Sequence, residues 1–144
     1  MSVKDLVVVG IGSSAGGLEA LQVMLSKLSE NLNCSYIIAQ HLSPTHRSMM
    51  VDLLSRITNI PVIEVQNGMV IKAKTIYMTP ENTDIFISNG RIYLKSIEHT
   101  YGPKPSVNYF FNSLAQSYGS KSIGIILSGT GSDGAFGIRA IKAS

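Results

Sequence analysis

The sequence has few of the features that mark secreted, membrane-spanning or nucleic-acid-binding proteins. Cys34 is its only cysteine, so no disulfide can form within the chain, and we interpret it as a packing residue. Charged residues make up only 15% of the chain, and the net charge of +3 comes without a run of one sign, which does not favour nucleic-acid binding. No apolar segment approaches the roughly 20 residues of a membrane-spanning helix. We therefore expect a cytoplasmic protein with neither membrane insertion nor a nucleic-acid partner.

Short apolar runs, each ending in a polar or glycine-rich loop, are the main pattern that the sequence does have. Leu6–Gly10, Ser35–Ala39 and Lys121–Ser128 show no apolar–polar alternation, which is typical of strands buried on both faces of a sheet. Helical periodicity follows the first two runs, at 18–28 and His46–Ile57. Strands that alternate with helices in this way predict a parallel sheet with crossover helices.

The middle of the sequence predicts a β-hairpin insertion. Four short segments have strand character: Pro61–Glu64, Thr75–Met78, Asp84–Ser88 and Arg91–Leu94. Asn89–Gly90 separates the last two, and Asn-Gly is a strong signal for a tight hairpin turn.

The last third of the chain returns to helices. Ser106 is a suitable N-cap for a helix that carries Val107, Phe110, Phe111 and Leu114 on one face. Gly134–Lys142 begins another helix. With no repeat or internal boundary, residues 1–144 are expected to form a single domain.

Three loops that follow predicted buried strands carry residues suited to chemistry: Ser14, His41 and Asp133. Ligands of open α/β sheets bind at the carboxyl ends of the strands. These three residues, distant in sequence, are therefore candidates for one site at one edge of the sheet.

The first loop is ambiguous by itself. Residues 12–16 fit G-x-S-x-G, in which glycines allow a sharp strand-to-helix turn that exposes Ser14 as a nucleophile. Gly10, Gly12 and Gly16 also give G-x-G-x-x-x-G, which is close to a dinucleotide-binding fingerprint. A hydrolase, a nucleotide-binding protein and a structural turn all remain open on this evidence.

The second loop favours the hydrolase. A dinucleotide site requires an acidic residue at the end of its second strand, and the sequence there is Ala39–Gln40–His41. A serine nucleophile requires a base, and histidine is the usual one because its pKa lies near neutrality. His46 is interpreted as a helix-start residue and His99 as a solvated loop residue, so His41 is the preferred base.

The third loop supplies a partner for the imidazole. Asp133 follows the last predicted strand, where a carboxylate can fix the histidine tautomer and stabilise the imidazolium. An N-cap role is the alternative for an aspartate before a helix. Asp5, Asp52 and Asp84 are less well placed, since they lie before a strand, within a helix and in the irregular middle.

Taken together, these segments resemble the CheB-type protein-glutamate methylesterases. IGSSAGGLEAL, QHLSPTH and LSGTGSDGAFGIRAIKA look like the three signature segments of that family, and IPVIEVQNGM, IYMTPENTD and KPSVNYFFNSL resemble its linking segments in the expected order. The similarity covers essentially the whole chain. The sequences of the segments LSGTGSDG and QHLSPTH are most similar to those found in the N-terminal domain of methylesterase–methyltransferase (CheB/CheR) fusion proteins.

The resemblance implies a fold and an activity. The fold is a doubly wound, mainly parallel α/β sheet of the Rossmann-like three-layer kind. The activity is hydrolysis of glutamate γ-methyl esters on chemoreceptors or similar signalling proteins, releasing methanol, with glutamine deamidation as a related reaction. It further implies that Ser14 is the nucleophile, His41 the base and Asp133 its partner, with oxyanion contacts at Ala15 and Thr130. No metal or organic cofactor is implied.

The resemblance also sets expectations about the rest of the protein. The sequence stops eleven residues after Asp133, within the last predicted helix, whereas domains of the family continue for several more elements, so we expect the chain to be truncated. The similarity to the fusion proteins implies that a methyltransferase domain follows. A missing sheet edge would favour a homodimer. Ala15 and Thr130 stand where well-known members carry threonine and methionine. Two other hypotheses compete with the esterase: a non-catalytic docking or regulatory domain that retains the fold, and a nucleotide-binding protein.

Overall fold

The computed structural model describes residues 6–13, 18–40, 50–80, 83–95, 107–127 and 141–142, with only the backbone of residue 18. Eight strands and three helices lie in these ranges. In chain order they are β1 (Val7–Ser13), α1 (Leu18–Ser26), β2 (Cys34–Gln40), α2 (Met50–Ser55), β3 (Val62–Glu64), β4 (Met69–Val70), β5 (Thr75–Met78), β6 (Asp84–Ser88), β7 (Arg91–Lys95), α3 (Val107–Tyr118) and β8 (Ser122–Leu127).

A parallel sheet of five strands, in the order β3-β5-β2-β1-β8, forms the centre of the described fold. The chain first places β2, β3 and β5 on one side of β1 and then returns through α3 to place β8 on the other side. This is a doubly wound arrangement. The mainly parallel α/β sheet that the sequence predicts is therefore confirmed.

Helices cover both faces of the sheet, because the apolar side chains of its strands point in both directions. On one face, Val9, Ile11 and Ile38 pack with Leu21 and Leu25 of α1 and with the buried side chains of α2. The opposite face has its own apolar cluster, to which β1, β2 and β5 contribute Val8, Ile37, Ala39 and Tyr77, and α3 contributes Val107, Phe110, Phe111 and Leu114. Each fully buried aliphatic or aromatic side chain stabilises the fold by about 1.5–3 kcal/mol relative to exposure.

The predicted hairpin is present as part of a second sheet, which is antiparallel and has the order β4-β7-β6. Asn89 and Gly90 both have positive φ, 52° and 72°, as a type I′ turn requires. The sheet is held to α3 by two serines: Ser113 Oγ accepts from the Ile87 amide and Ser117 Oγ donates to the Ile87 carbonyl, each at 2.9 Å. Strand β4, only two residues long, was not predicted.

The prediction that the first strand ends at Gly10 is wrong, because β1 continues through Gly12 to Ser13. Glycine lowers strand propensity, but β1 pairs with a parallel neighbour on each side, and the two ladders hold its backbone extended. Side chains of α3 pack directly over both glycines. A Cβ atom on Gly10 would lie 2.8 Å from Leu114 Cδ2, and one on Gly12 would lie 2.6 Å from Val107 Cγ1.

The other boundaries differ from the predictions by small shifts. Helix α2 ends at Ser55, two residues before the predicted Ile57, and the predicted residues 46–49 lie outside the described part of the chain. Strand β8 begins at Ser122, because Lys121 belongs to a short 3-10 turn that follows α3. Of the predicted helix at Gly134–Lys142, the described residues 141 and 142 are helical.

Candidate active site

The carboxyl ends of β1, β2 and β8 lie side by side at one edge of the parallel sheet. In the register of these strands, Ser13 is paired with Gln40 on one side and with Leu127 on the other. Neighbouring strands of a sheet are about 4.8 Å apart. Three connections therefore leave the sheet from adjacent, level positions.

The residues predicted to form the site belong to these three connections. Ser14 and His41 come directly after Ser13 and Gln40 in sequence, and Ala15 follows Ser14. Thr130 and Asp133 come three and six residues after Leu127. All five lie outside the described residues, so the structure brings together the strand ends that lead into them.

Buried polar side chains that are not among the predicted site residues also lie at this edge. Ser13 and Gln40 are each 2% exposed, and Thr79, which follows β5, is nearly as buried. Each ends or directly follows an apolar strand, in VVVGIGS, SYIIAQ and TIYMT. A polar residue at the end of a continuous apolar run is the sequence feature that could have identified these residues. The interior of a sheet otherwise excludes polar groups.

Gln40 and Thr79 share a further feature, since the Oγ1 atom of Thr79 is also buried without a hydrogen-bond partner among the described residues. Both the Oε1 and the Nε2 of Gln40 are shielded from solvent and have no such partner there. An unpaired buried amide costs about 1–3 kcal/mol, so such groups are rare in folded proteins.

The glycines of β1 bear on the nucleotide-binding hypothesis. Gly10 and Gly12 lie within the strand and face α3, where a larger residue would collide with Leu114 or Val107. Their presence is therefore explained by helix packing, and a phosphate-binding turn is not needed to account for them. Two of the three glycines that suggested a dinucleotide fingerprint therefore no longer support nucleotide binding.

The competing acid and thiol residues that are described do not follow the carboxyl ends of β1, β2 or β8. Asp84 is the first residue of β6 in the antiparallel sheet, and Asp52 is exposed on α2. Cys34 begins β2, at the opposite end from Gln40, and packs against the apolar cluster of the α1–α2 face. The location of Cys34 fits the packing role expected for it. His46, His99 and Asp5 lie outside the described residues.

Metal ligands and surface pockets in the described ranges do not suggest a different site. Those ranges contain no group of three or more His, Cys, Asp or Glu side chains placed to hold a metal ion. A surface pocket of about 380 Å³ lies between the carboxyl ends of α1 and α2, where Glu30 and Arg56 are among its lining residues. Both helices run away from the carboxyl edge of the sheet, so this pocket lies at the other end of the domain.

Comparison with known proteins identifies the family to which the chain belongs. A model of the CheB methylesterase domain matches residues 9–144. The chain belongs to the CheB methylesterase family. The match includes all three connections that leave the carboxyl edge of β1, β2 and β8, so the family resemblance seen in the sequence is confirmed.

Relatives and a solved structure of the CheB family agree with this assignment. The chain is 34% identical over 140 residues to the protein-glutamate methylesterase/protein-glutamine glutaminase 1 of Syntrophus aciditrophicus, covering 96% of this chain and 40% of that protein. It is 32% identical over 143 residues to the protein of the same description from Archaeoglobus fulgidus, covering 96% of this chain and 41% of that one. The chain thus spans about 40% of the length of these curated relatives.

The fold agrees as well. The crystal structure of the CheB methylesterase catalytic domain of Thermotoga maritima superimposes with a TM-score of 0.84 at 27% identity, covering 95% of this chain and 75% of that one. The Rossmann-like α/β architecture expected from the resemblance is thereby confirmed. No helix in the described ranges combines the length and apolar character needed to cross a membrane.

Proposed function

We propose that this chain carries the catalytic apparatus of a protein-glutamate methylesterase, which hydrolyses glutamate γ-methyl esters on chemoreceptors or similar signalling proteins and releases methanol. Membership of the CheB family supports this proposal, as do relatives that are named for the same activity. Those names also include a glutaminase. Hydrolysis of a glutamine side-chain amide uses the same acyl-transfer chemistry, with ammonia in place of methanol as the leaving group, and we include it in the proposal.

The observation that carries the proposal is the register at the sheet edge. Because Ser13 is paired with both Gln40 and Leu127, the connections that contain a serine, a histidine and an aspartate begin next to one another. A nucleophile, a base and an orienting carboxylate must meet within hydrogen-bond reach to act as a triad. The three neighbouring strand ends meet one requirement for such a triad, because the connections that carry its residues start close together.

In the proposed reaction, the hydroxyl of Ser14 attacks the ester carbonyl while the imidazole of His41 takes its proton. The carboxylate of Asp133 accepts a hydrogen bond from the other imidazole nitrogen and stabilises the imidazolium. The oxyanion is stabilised by backbone N–H groups, for which Ala15 and the turn at Thr130 are the candidates.

Collapse of the tetrahedral intermediate breaks the bond between the carbonyl carbon and the methoxy oxygen, and His41 returns its proton to the departing methanol. Water then attacks the acyl-serine with His41 again acting as base. Collapse of the second tetrahedral intermediate breaks the bond between the carbonyl carbon and Ser14 Oγ, which takes the proton back from His41. The products are a glutamate side chain on the substrate protein and regenerated Ser14. These steps need no redox partner.

An active-site fluorophosphonate probe tests this proposal against the alternative of a non-catalytic docking or regulatory domain. We expect the folded protein to react at Ser14, as identified by mass spectrometry of the labelled peptide. Ser14→Ala should abolish labelling, whereas Ser13→Ala, which removes the neighbouring buried hydroxyl, should retain it. If the folded wild-type chain is not labelled, the docking hypothesis is favoured.

The domain composition of the full-length protein, its localisation and its oligomeric state remain predictions. We propose that residues 1–144 belong to one catalytic domain in a cytoplasmic protein that also carries a methyltransferase domain, and that the chain can form a homodimer. The full-length open reading frame tests the first point, and sedimentation of the purified protein tests the second. A downstream region without methyltransferase motifs would contradict the fusion hypothesis.

A further inference from the structure

The antiparallel sheet has one face toward the core and one toward solvent. Ile85, Ile87 and Ile92 point inward, where they are buried in the apolar cluster on the α3 side of the parallel sheet. Side chains alternate along a strand, so the residues between them point outward. The outward side chains that solvent reaches are Phe86 and Ser88 on β6 and Arg91, Tyr93 and Lys95 on β7.

Three aromatic rings pack together on this outward face. Phe86 and Tyr93 form a stacked cross-strand pair, with ring centroids 5.2 Å apart and planes inclined by 19°. Tyr109, in the first turn of α3, meets Phe86 edge-on with the centroids 6.2 Å apart. The ammonium of Lys95 lies 5.5 Å from the centroid of the Tyr109 ring, within the range of a cation–π contact. We call Phe86, Arg91, Tyr93, Lys95 and Tyr109 the aromatic–cationic face.

The charge that the aromatic–cationic face presents to solvent is positive. Arg91 and Lys95 are both exposed, whereas Asp84, the acidic residue of β6, is buried. Arg91 Nη1 donates to the Gly68 carbonyl at 2.8 Å, which holds the guanidinium in place and uses one of its N–H donors. Arginine and aromatic residues are enriched at protein interfaces, and a positive surface is complementary to an acidic partner.

One end of this face lies toward the proposed active site. Helix α3 begins over the carboxyl end of β1, since Val107 packs on Gly12, the residue before Ser13. Two positions along a helix are a rotation of about 200°, so Tyr109 is on the side of α3 that faces away from β1. A helix with its side chains is about 10–12 Å wide, so Tyr109 and the ammonium of Lys95 lie roughly that far from the carboxyl end of β1.

A partner on this face is recognised through side chains, because an edge of the sheet is already occupied. Strand β6 is an edge strand, and its Ile87 N–H and C=O are hydrogen-bonded to Ser113 and Ser117 of α3. Another strand therefore cannot pair with Ile87 at this edge. Exposed rings and cations on the face itself are the groups left for recognition.

We propose that the aromatic–cationic face docks an acidic segment of the protein substrate and so brings the glutamate methyl ester to the carboxyl edge of the parallel sheet. The inference rests on the proposed function, which also accounts for the charge of the partner. Each hydrolysis leaves a carboxylate on the substrate, and free glutamates beside a remaining ester are attracted to Arg91 and Lys95. The aromatic rings supply the apolar contact.

The test compares two peptides as substrates of the purified protein, with released methanol as the readout. One peptide carries a glutamate γ-methyl ester among free glutamates, and the other has serine in place of the free glutamates. With the acidic peptide, we expect Lys95→Glu to lower kcat/KM about tenfold, mainly through a higher KM, and the serine peptide to change less than about twofold. Tyr109→Ala should lower kcat/KM for both peptides by about threefold or more, because the apolar contact does not depend on charge.

Fluorophosphonate labelling and a second lysine provide the controls. The probe does not extend to the aromatic–cationic face, so both variants should be labelled at the wild-type rate. Lys27 is also exposed but follows α1, on the opposite side of the parallel sheet, and Lys27→Glu should hydrolyse both peptides like the wild type. An equal loss in Lys27→Glu, or slower labelling of Lys95→Glu, would mean that the added charge acts on the whole protein or on the active site, and the inference would be wrong.

The other outcomes separate the docking face from the function on which it rests. Wild-type labelling at Ser14, with either variant hydrolysing the acidic peptide like the wild type or with neither peptide hydrolysed by the wild type, overturns the docking inference alone. If Lys95→Glu does not fold, Lys95→Gln replaces it, with an expected loss of about threefold on the acidic peptide. A wild-type protein that neither reacts with the probe nor releases methanol removes the esterase proposal and this inference together.

Discussion

The two faces of β1 pack against their helices in opposite ways. Toward α1 and α2 the strand presents Val9 and Ile11, large side chains that fill the space between sheet and helix. Toward α3 it presents Gly10 and Gly12, and the side chains of α3 fill the space instead. Within β1, the residues on one face are thus sensitive to the removal of atoms and those on the other to their addition, although both faces are apolar and buried.

Removing atoms from the α1–α2 face should have the largest effect. Leu25 is fully buried against β1 and β2, so Leu25→Ala leaves a cavity and should lower the free energy of unfolding by about 2–5 kcal/mol. Val23 is on the same helix but 55% exposed, and Val23→Ala should change stability by less than about 0.5 kcal/mol. Urea denaturation of both variants measures the difference, and similar losses would contradict the packing described for α1.

Adding one methyl group to the α3 face should have the next largest effect. A Cβ on Gly12 would lie 2.6 Å from Val107 Cγ1, so Gly12→Ala should destabilise the protein by about 1–3 kcal/mol through overpacking. Val107→Ala removes the atoms with which the new methyl collides. In the double variant the two losses should therefore be less than additive, and a double-mutant cycle in urea would reveal the coupling. Strict additivity would show that α3 does not approach β1 this closely.

The attachment of α3 to the antiparallel sheet should contribute less. Ser117 donates to the carbonyl oxygen of Ile87, and Ser117→Ala should cost about 0.5–1.5 kcal/mol because that hydrogen bond is lost. Gln116 is the adjacent exposed residue of α3, and Gln116→Ala should be close to neutral. Equal stability of the two variants in urea would mean that the serine contact does not stabilise the helix.

The smallest expected effect is the dependence of stability on pH through two tyrosines, one on each face of the parallel sheet, and it should be similar for both. Burial raises the pKa of Tyr36 above 10.0, with a smaller contribution from the charge of Cys34, and burial also raises the pKa of Tyr118, followed by the charge of Tyr77. A raised pKa means that the folded protein keeps a proton that the unfolded chain loses above about pH 10. The stability from these groups is complete below pH 10 and is lost as the pH rises through the folded pKa.

Phenylalanine variants test this pH dependence. Tyr36→Phe and Tyr118→Phe should each make the fall in unfolding free energy above about pH 10 less steep, and neither should change its value near neutral pH by more than about 1 kcal/mol. Tyr77→Phe is the contrast at neutral pH, since the Tyr77 hydroxyl accepts from the Lys72 amide at 2.7 Å and donates to the Val70 carbonyl at 3.1 Å. Its loss should destabilise the protein near pH 7. An alkaline slope identical to that of the wild type in both Tyr36→Phe and Tyr118→Phe would contradict the burial of the two hydroxyls.

Local sequence signals predicted most of the fold because the strongest ones agree with the tertiary structure. Thr75–Met78 and Asp84–Ser88 have the predicted bounds, and Asn89–Gly90 forms the expected turn. The prediction was wrong at Gly10, where propensity favours a break and pairing on both sides of β1 overrides it. It missed Met69–Val70, because a two-residue strand has no periodicity and forms only by pairing with β7.

Less of the candidate site than of the fold could be predicted from the sequence and compared with the structure. That three strand ends would meet at one edge follows from parallel topology, and the register of β1 with β2 and β8 agrees with it. The assignments of Ser14, His41 and Asp133 stay predictions, since they lie outside the described residues. The buried amide of Gln40 could not be predicted, because burial of a residue at the end of a strand depends on what the rest of the chain places over it.

The level pairing of Ser13 with Gln40 and Leu127 limits how this domain can change in length. An inserted or deleted residue within β1 would turn every following side chain to the opposite face, so that glycines would meet α1 and isoleucine would meet α3. It would also move one of the three strand ends out of line with the others. Length variation among functional homologues should therefore be absent from 7–13 and tolerated at the Asn89–Gly90 tip, which lies on the surface of the antiparallel sheet.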